Sequence, residues 1–404
     1  MKKSRKESVE HEDENLRGQR RIVALLSHDR LENDPRVASE TRLLAQAGYP
    51  VTVICWNRSG KHARDTTMDG FQVVYLGARS SYESGLRQLP AYISFGVRSV
   101  WWLFRNEYAA IHCHDLDTLP MGWVIGKLRR KPVVFDAHES YPDMQRTRSQ
   151  ILFGMTSLLE RVLARRCTHI VTVGELIRER FLRMTRGRIS VSVIGSWKDP
   201  KDFSFPLSTL VSTRARLGLP RGDLVVGFFG GLNNAKPLFP LLEAAKRVGG
   251  VSVILAGEGE HTALVRRWAE QHPWVHYLGL IDWSEVCLYT GLCDVLYYGL
   301  NPSYRDAVYS SPNTLFSAIA AGKPCLTVDY GEVGRIVRET GCGYLMASLN
   351  DRECEAGIRY LLDPSHRQPM EQAAQKAAEI FCTSEAERRL VALYAGLFYC
   401  KREY

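Results

Sequence analysis

The sequence predicts an α/β protein made of two doubly wound, Rossmann-like domains in tandem. Three observations predict it. The length of 404 residues suits two domains of ordinary size. Short β-branched runs alternate with amphipathic helical stretches along most of the chain, and a proline-punctuated stretch after residue 195 interrupts that alternation once.

In order, residues 1–20 mix Lys, Arg, Glu and Asp with almost no apolar content and read as a mobile charged tail. Residues 22–26 form an apolar run. The stretch 35–47 then places Val37, Leu43 and Leu44 at helical spacing and stops at Gly48, and 51–55 is again β-branched, giving strand, helix, strand. Further strands are predicted at 72–76, 110–113, 133–135 and 170–173, so a parallel sheet covered on both faces occupies residues 21–195. Pro200, Pro206 and Pro220 mark 196–223 as a linker. A second series follows at 224–229, 251–256, 275–278, 295–298, 325–328 and 344–346, defining a domain over 224–380. The chain closes with helices at 368–380 and 385–399; residues 381–404 are set apart as a C-terminal helix, and the closing helices are expected to return to the first domain.

Composition narrows the class. Apolar residues make up 45% and charged residues 24%, which excludes collagenous, fibrous and disordered chains. The ten cysteines include no CxxC pair and the chain opens on charge, so a reducing, cytoplasmic setting is expected. The longest apolar stretch, 89–104, is broken by Arg98 and falls short of the roughly 20 residues a membrane span needs. Residues 1–200 hold 32 basic and 22 acidic side chains against 21 and 22 in 201–404, so the first half carries the whole excess. A phosphorylated substrate, an anionic membrane or nucleic acid would suit it. Nucleic acid is disfavoured because no binding motif accompanies the charge. Arg98, Trp101, Trp102, Phe104 and Arg105, with the Arg-rich stretches 160–166 and 175–188, suggest a face for anionic lipid, a solvated helix with a buried aromatic stripe being the alternative.

The loops after the strands carry the chemistry. Residues 27–35 contain no GxGxxG, and the chain has no GxxxxGK[ST] and no HExxH, which disfavours dinucleotide oxidoreductases, P-loop NTPases and zincins. In the second half, Gly230-Gly231-Leu232-Asn233-Asn234-Ala235-Lys236-Pro237 follows a strand and leads into a predicted helix. Glycines let the backbone approach an anion, the helix start offers amides and Lys236 a charge; a glycine turn with a solvated lysine is the alternative. Gly257-Glu258-Gly259 is a second tight turn, and Ser311-Pro312-Asn313-Thr314-Leu315-Phe316-Ser317 opens a helix with Ser311 and Asn313 as candidate caps. In the first half, His112-Cys113-His114-Asp115 and Asp136-Ala137-His138-Glu139 sit at two strand ends. Core histidines held by backbone carbonyls are the plain alternative, and a metal site from His112, His114 and His138 has no recognisable ligand spacing.

Taken with 27–37, 114–120 and Ala320-Ala321-Gly322-Lys323-Pro324, these segments resemble the GT-B glycosyltransferases of family 4 ("group 1") over residues 21–399. The resemblance implies two Rossmann-like domains facing across a cleft, with a saccharide or lipid-linked acceptor on the first. It implies a nucleoside-diphosphate sugar held in the second by Gly230, Gly231, Lys236, Glu258, Ser311, Asn313, Thr314, Leu315 and Ser317. Transfer would retain anomeric configuration with no cofactor and no obligatory metal, His138, Lys236, Asp115 and Glu139 being the catalytic candidates. The family's diphosphate arginine is replaced by Gly231, and its Glu-x7-Glu pair by Tyr309 and Ser317. Asp306 or Glu332 is the candidate substitute carboxylate. A non-catalytic nucleotide-sugar-binding protein and a sugar-nucleotide epimerase, which shares the architecture, stay open.

Overall fold

The computed structural model describes residues 18–31, 34–81, 85–146 and 149–399; the expected charged tail up to residue 17, Asn33 of the first motif and Cys400 lie outside them. The chain divides into two compact units, Met1–Ile194 with Glu387–Tyr404, and Gly195–Ala386.

The first unit runs β1 (Ile22–Leu26), α1 (Pro35–Gln46), β2 (Val51–Trp56), β3 (Asp65–Met68), β4 (Phe71–Leu76), α2 (Leu89–Arg105), β5 (Ala110–His114), α3 (Asp115–Arg129), β6 (Val133–Ala137), α4 (Tyr141–Arg146), α5 (Gln150–Ala164), β7 (His169–Thr172), α6 (Glu175–Thr185) and β8 (Ser190–Val193). The sheet order is β3-β4-β2-β1-β5-β6-β7-β8, parallel throughout except that β3 is antiparallel to β4. All five residues of β1 are buried, as a strand covered on both faces requires. α1 starts sharply because Asp34 accepts from the Val37 amide at 3.1 Å and Pro35 takes the first helical turn. Two edge strands depart from the sequence expectation. β3 is the exposed run Asp-Thr-Thr-Met and β8 the run Ser-Val-Ser-Val, and neither supplies the buried apolar face by which the other strands are recognised.

The second unit contains α7 (Leu207–Arg216), β9 (Leu224–Phe229), α8 (Phe239–Val248), β10 (Val251–Ala256), α9 (Thr262–Gln271), β11 (Val275–Tyr277), α10 (Trp283–Leu292), β12 (Val295–Tyr298), α11 (Asn313–Ala320), β13 (Cys325–Val328), α12 (Gly331–Thr340), β14 (Gly343–Met346), α13 (Asp351–Leu362) and α14 (Pro364–Ala378), followed by α15 (Thr383–Tyr399). Its sheet is fully parallel in the order β11-β10-β9-β12-β13-β14. The stretch expected as a linker is folded: Pro200–Phe203 forms a 3₁₀ turn, Phe203 is buried against Cys287 and Ala320, and α7 packs on α10. α14 begins four residues before the predicted start, where Asp363 caps its N-terminus.

From Glu387 onward α15 belongs to the first unit. Its Tyr394 is fully buried, packs near Tyr49 with ring centroids 6.0 Å apart and planes tilted by 49°, and places its hydroxyl 2.7 Å from Nδ1 of His112. Strand order reverses between β1 and β5 in one unit and between β9 and β12 in the other, so ligand sites are expected at the carboxyl ends of those strands.

Candidate functional site

In the second unit a pocket of about 370 Å³ opens at the carboxyl ends of β9 and β10. Gly230, Gly231, Gly257 and Glu258 form one side, Asn313, Thr314 and Ser317 of α11 a second, and Leu280, Ile281, Trp283 and Val286 an apolar wall. The two glycine loops are knitted together by two backbone bonds and one to a side chain: Gly230 N donates to Ala256 O at 2.9 Å, Leu232 N to Glu258 O at 3.1 Å, and Asn234 N to the Glu260 carboxylate at 2.6 Å. Gly257 holds φ of +131°, and a Cβ there would overlap the carbonyl oxygen of Gly230. Only glycine keeps the loops this close.

The structure revises three expectations about this loop region. α8 starts at Phe239, so Gly230 and Gly231 precede the helix by several residues and do not form its amino end. α11 has Pro312, which offers no side-chain acceptor, at its cap position, so Ser311 lies one residue before the cap and Asn313 is the first helical residue, and Asn313 and Thr314 of the first turn line the pocket. Glu332 is 1% exposed and held by Arg335 at 2.6 Å, which ties up the carboxylate suggested as a sugar ligand. Lys236, Ser311 and Leu315 do not line the pocket. Leu315 is fully buried, while the Lys236 ammonium lies 6.0 Å from the ring centroid of Tyr298 at the end of β12.

In the first unit, the ends of β1, β5 and β6 lie side by side and bring His114, Asp115 and His138 together around Asp136. Asp136 is wholly buried. Its Oδ2 accepts from Nε of Arg36 at 3.1 Å and lies 2.9 Å from His138 Nε2 and 3.1 Å from His114 Nδ1, while Oδ1 accepts from Arg36 at 2.6 Å. Burial alone would raise its pKa, but the Arg36 and His138 charges hold it well below the usual carboxylate range. Glu40, His112, His114 and Asp136 bring ligand atoms within 4.8 Å of one another, yet the Arg36 guanidinium is already bidentate on Asp136 and 2.9 Å from Glu40, so the cluster contains its own cation.

His138 is clamped. Its Nδ1 lies 3.3 Å from Asp115, its backbone amide donates to Asp115 Oδ1 at 3.2 Å, and its other ring nitrogen faces Asp136. Burial favours the neutral ring, but the Asp115 and Asp136 charges outweigh it and raise the pKa to about 10, so His138 is an imidazolium and a donor. His114 goes the other way: burial and the neighbouring His112 lower it to about 3 despite Asp136. Burial drives Asp115 up to about 7 against the pull of His138. Asp115 also holds a left-handed backbone, φ of +62°, at the first position of α3, a conformation that aspartate tolerates better than most residues. Glu139 is exposed.

These values carry a stability prediction. With a folded pKa of about 10 against 6.5 unfolded, the contribution of His138 is complete below pH 6.5 and is lost as pH rises toward 10. Thermal unfolding across that window should show falling stability in the wild type and a flatter profile in His138→Asn.

Beside this cluster, a cavity of about 330 Å³ is lined by Ser27, Trp56, Arg58, Tyr92, Asp117, Tyr141 and neighbouring apolar residues. Ser27 donates to Asp117 at 2.5 Å and Tyr92 to the Asp117 carbonyl at 2.5 Å, while Arg58 lies over the Trp56 ring at 4.7 Å. Trp56, Arg58 and Tyr92 were not foreseen from sequence; a large aromatic ending an otherwise aliphatic strand was the available signal.

Comparison with known proteins agrees with the α/β fold of the two units. Residues 36–194 match the family model described as Glycosyltransferase Family 4, and residues 212–377 match Glycosyl transferases group 1. Among solved structures, the chain is similar to a sucrose-phosphate synthase from Thermosynechococcus elongatus at 16% identity and a TM-score of 0.76, covering 94% of this chain and 100% of that one. It is similar to Anabaena HepE in complex with UDP and glucose at 16% identity and TM-score 0.71, covering 93% and 99%. A trehalose-6-phosphate protein from E. coli bound with UDP-2-fluoro glucose aligns at 11% identity and TM-score 0.69, covering 92% and 98%. At these identities the likeness speaks for the fold. No curated protein matches the chain significantly.

Proposed function

The chain is a GT-B glycosyltransferase, a family 4 half joined to a group 1 half, and from that premise we propose that it transfers a hexose-like sugar, with retention and without a metal, from a nucleoside diphosphate to a saccharide or lipid-linked acceptor. The observation that carries this is the pocket of the second unit, whose apolar wall of Leu280, Ile281 and Trp283 suits a nucleoside and whose glycine loops and the start of α11 suit a diphosphate. Developing charge on the leaving diphosphate would be met by those amides, with Lys236 the candidate for the cation. The first unit would hold the acceptor in its cavity by Asp117, Arg58 and Tyr92, and Asp115 would accept the acceptor's proton, since at about pH 7 it is half ionised. His138, already protonated, holds Asp115 in place and is not the base. The reaction is cytoplasmic in this reading.

UDP-sugars are the first donors to test, because the HepE structures hold UDP and UDP-glucose. Release of nucleoside diphosphate from UDP-, GDP- and ADP-sugars is expected for one donor class, and Lys236→Ala should reduce it. If no donor shifts the melting temperature and none is turned over, the reading is wrong. A second reading, binding without turnover, is favoured by Ser317 lining the pocket where the family carries a glutamate; binding with no release for any acceptor would select it.

The role of Asp115 predicts a pH profile. Activity should rise through about pH 7 as the carboxylate ionises. Asp115→Asn, which keeps the bond to the His138 amide and tolerates the left-handed backbone, should remove that limb and lower kcat by roughly 10²- to 10⁴-fold.

A further inference from the structure

Two-thirds of the exposed large apolar side chains among the described residues lie between Leu89 and Val162, so their distribution is not that of ordinary scattered surface residues. On α2, Ile93, Val97, Trp101 and Phe104 are 51–63% exposed and recur every three or four residues, one stripe along the outer side. On α5, Ile151, Met155 and Leu158 are 63–75% exposed in the same way, and α3, which packs against both helices, adds Leu128 at 67%. Trp102, expected to share this face, is 7% exposed and belongs to the core.

The charge around these stripes is mainly positive, the exposed Glu107 beyond α2 being paired with Arg129 at 2.5 Å. α2 contains Arg98 and Arg105 and no acidic residue. The one carboxylate of α5, Glu160, is buried and paired with Arg180 at 2.5 Å, whereas Arg161, and Arg165 and Arg166 just beyond it, are exposed. Lys127 and Arg130 add exposed cations at the end of α3. Arg105 lies over the Trp101 ring at 4.6 Å and Arg129 over Phe104 at 5.8 Å, so cationic heads and apolar bodies are interleaved. No helix among the described residues is long and apolar enough to cross a membrane.

We propose that the outer face of α2, α3 and α5 is a docking surface for an anionic lipid bilayer, with the apolar stripes seated among the acyl chains and the arginines on phosphate. Charge complementarity selects this occupant, because Arg98, Arg105, Lys127, Arg130, Arg161, Arg165 and Arg166 outnumber the exposed carboxylate of Glu107, and a second copy of the same face would oppose one cationic excess with another. The cavity of the first unit is lined by Leu89 and Tyr92 of α2, Pro120 of α3 and Thr156 and Leu159 of α5. The same three helices therefore form both the docking face and the walls of the cavity. The docking claim does not depend on the transfer reaction.

Sedimentation of the full chain with vesicles tests it. Partitioning onto vesicles of phosphatidylcholine with about half phosphatidylglycerol should exceed that onto pure phosphatidylcholine by at least about tenfold and weaken with salt. Ile93→Glu with Val97→Glu and Leu158→Glu, all at exposed positions outside the cavity lining, should reduce it by at least about tenfold. Arg98→Gln with Arg105→Gln and Arg161→Gln should abolish the preference for anionic lipid. Unchanged melting temperature and an unchanged melting shift with UDP in each variant separate loss of docking from misfolding and from failure of the donor site. Equal partitioning onto both vesicle types, or no loss in either variant, overturns the proposal. So does light scattering that shows a dimer which the glutamate variant breaks, without any vesicle effect.

Discussion

Replacing Arg36 with methionine is expected to destabilise the first unit by about 3–5 kcal/mol, the largest stability loss expected of any single substitution considered for this protein. The side chain is 6% exposed and makes a bidentate pair with Asp136, which has no exposure at all. It also donates to the Ile194 carbonyl at 2.6 Å and neutralises Glu40. Methionine fills similar space but leaves Glu40 without its cation and Asp136 with the His138 imidazolium alone, and the cost of a buried charge that has lost its partner exceeds what the pair contributes when intact. Glu40 shows how finely this is set: burial already pushes its pKa up to about 7 against the pull of Arg36. Chemical denaturation followed at the first unit measures the loss. Arg36→Met combined with Asp136→Leu should recover much of it, because removing both partners leaves fewer unmet charges than removing one. A single-variant loss below about 1 kcal/mol would show that the cluster is solvated.

The second large effect concerns binding. Gly257→Ala is expected to weaken nucleotide affinity by at least about 100-fold, close to 3 kcal/mol. The new methyl group would lie deep inside contact distance of the Gly230 carbonyl oxygen, and φ of +131° is a backbone state that residues other than glycine rarely adopt. Both effects drive the β9 and β10 loops apart, so the amides that line the pocket lose their spacing. Gly249→Ala is a suitable comparison: φ there is +71°, but nothing lies within 4 Å of the added atom. Titration calorimetry with UDP should show near-normal affinity for Gly249→Ala and severe loss for Gly257→Ala. Equal affinities would place the nucleotide elsewhere.

Much of the scaffold was legible because buried parallel strands are near-continuous apolar runs, and Ile22–Leu26, Leu224–Phe229, Val251–Ala256, Val295–Tyr298 and Cys325–Val328 fall where the pattern predicts. Edge strands were not, since Asp65–Met68 has a sequence that would serve equally as a loop; only pairing with β4 makes it a strand. Of the sites, the glycine loops were visible as motifs, whereas the roles of Arg36 and Asp136 were not. These residues stand 100 positions apart, and nothing local says that one strand end will bury a carboxylate against a helix from far upstream. The same limit applies to His138. Its sequence context marked it as a catalytic candidate but not as a cation, because the two carboxylates that charge it come from different places, Asp136 two residues earlier and Asp115 from the previous strand end.

The hydroxyl that meets His112 comes from Tyr394, 282 residues downstream, so the chain leaves the first unit, builds the second, and returns to finish the first. During synthesis the emerging amino-terminal portion must therefore wait, with the underside of Tyr49 and His112 uncovered, until almost four hundred residues have left the ribosome. The portion begun first is completed last. A chaperone that shields this exposed seam is expected to release its client only after Tyr394 emerges, and amino-terminal fragments ending near Ile194 should stay chaperone-bound where the full chain does not.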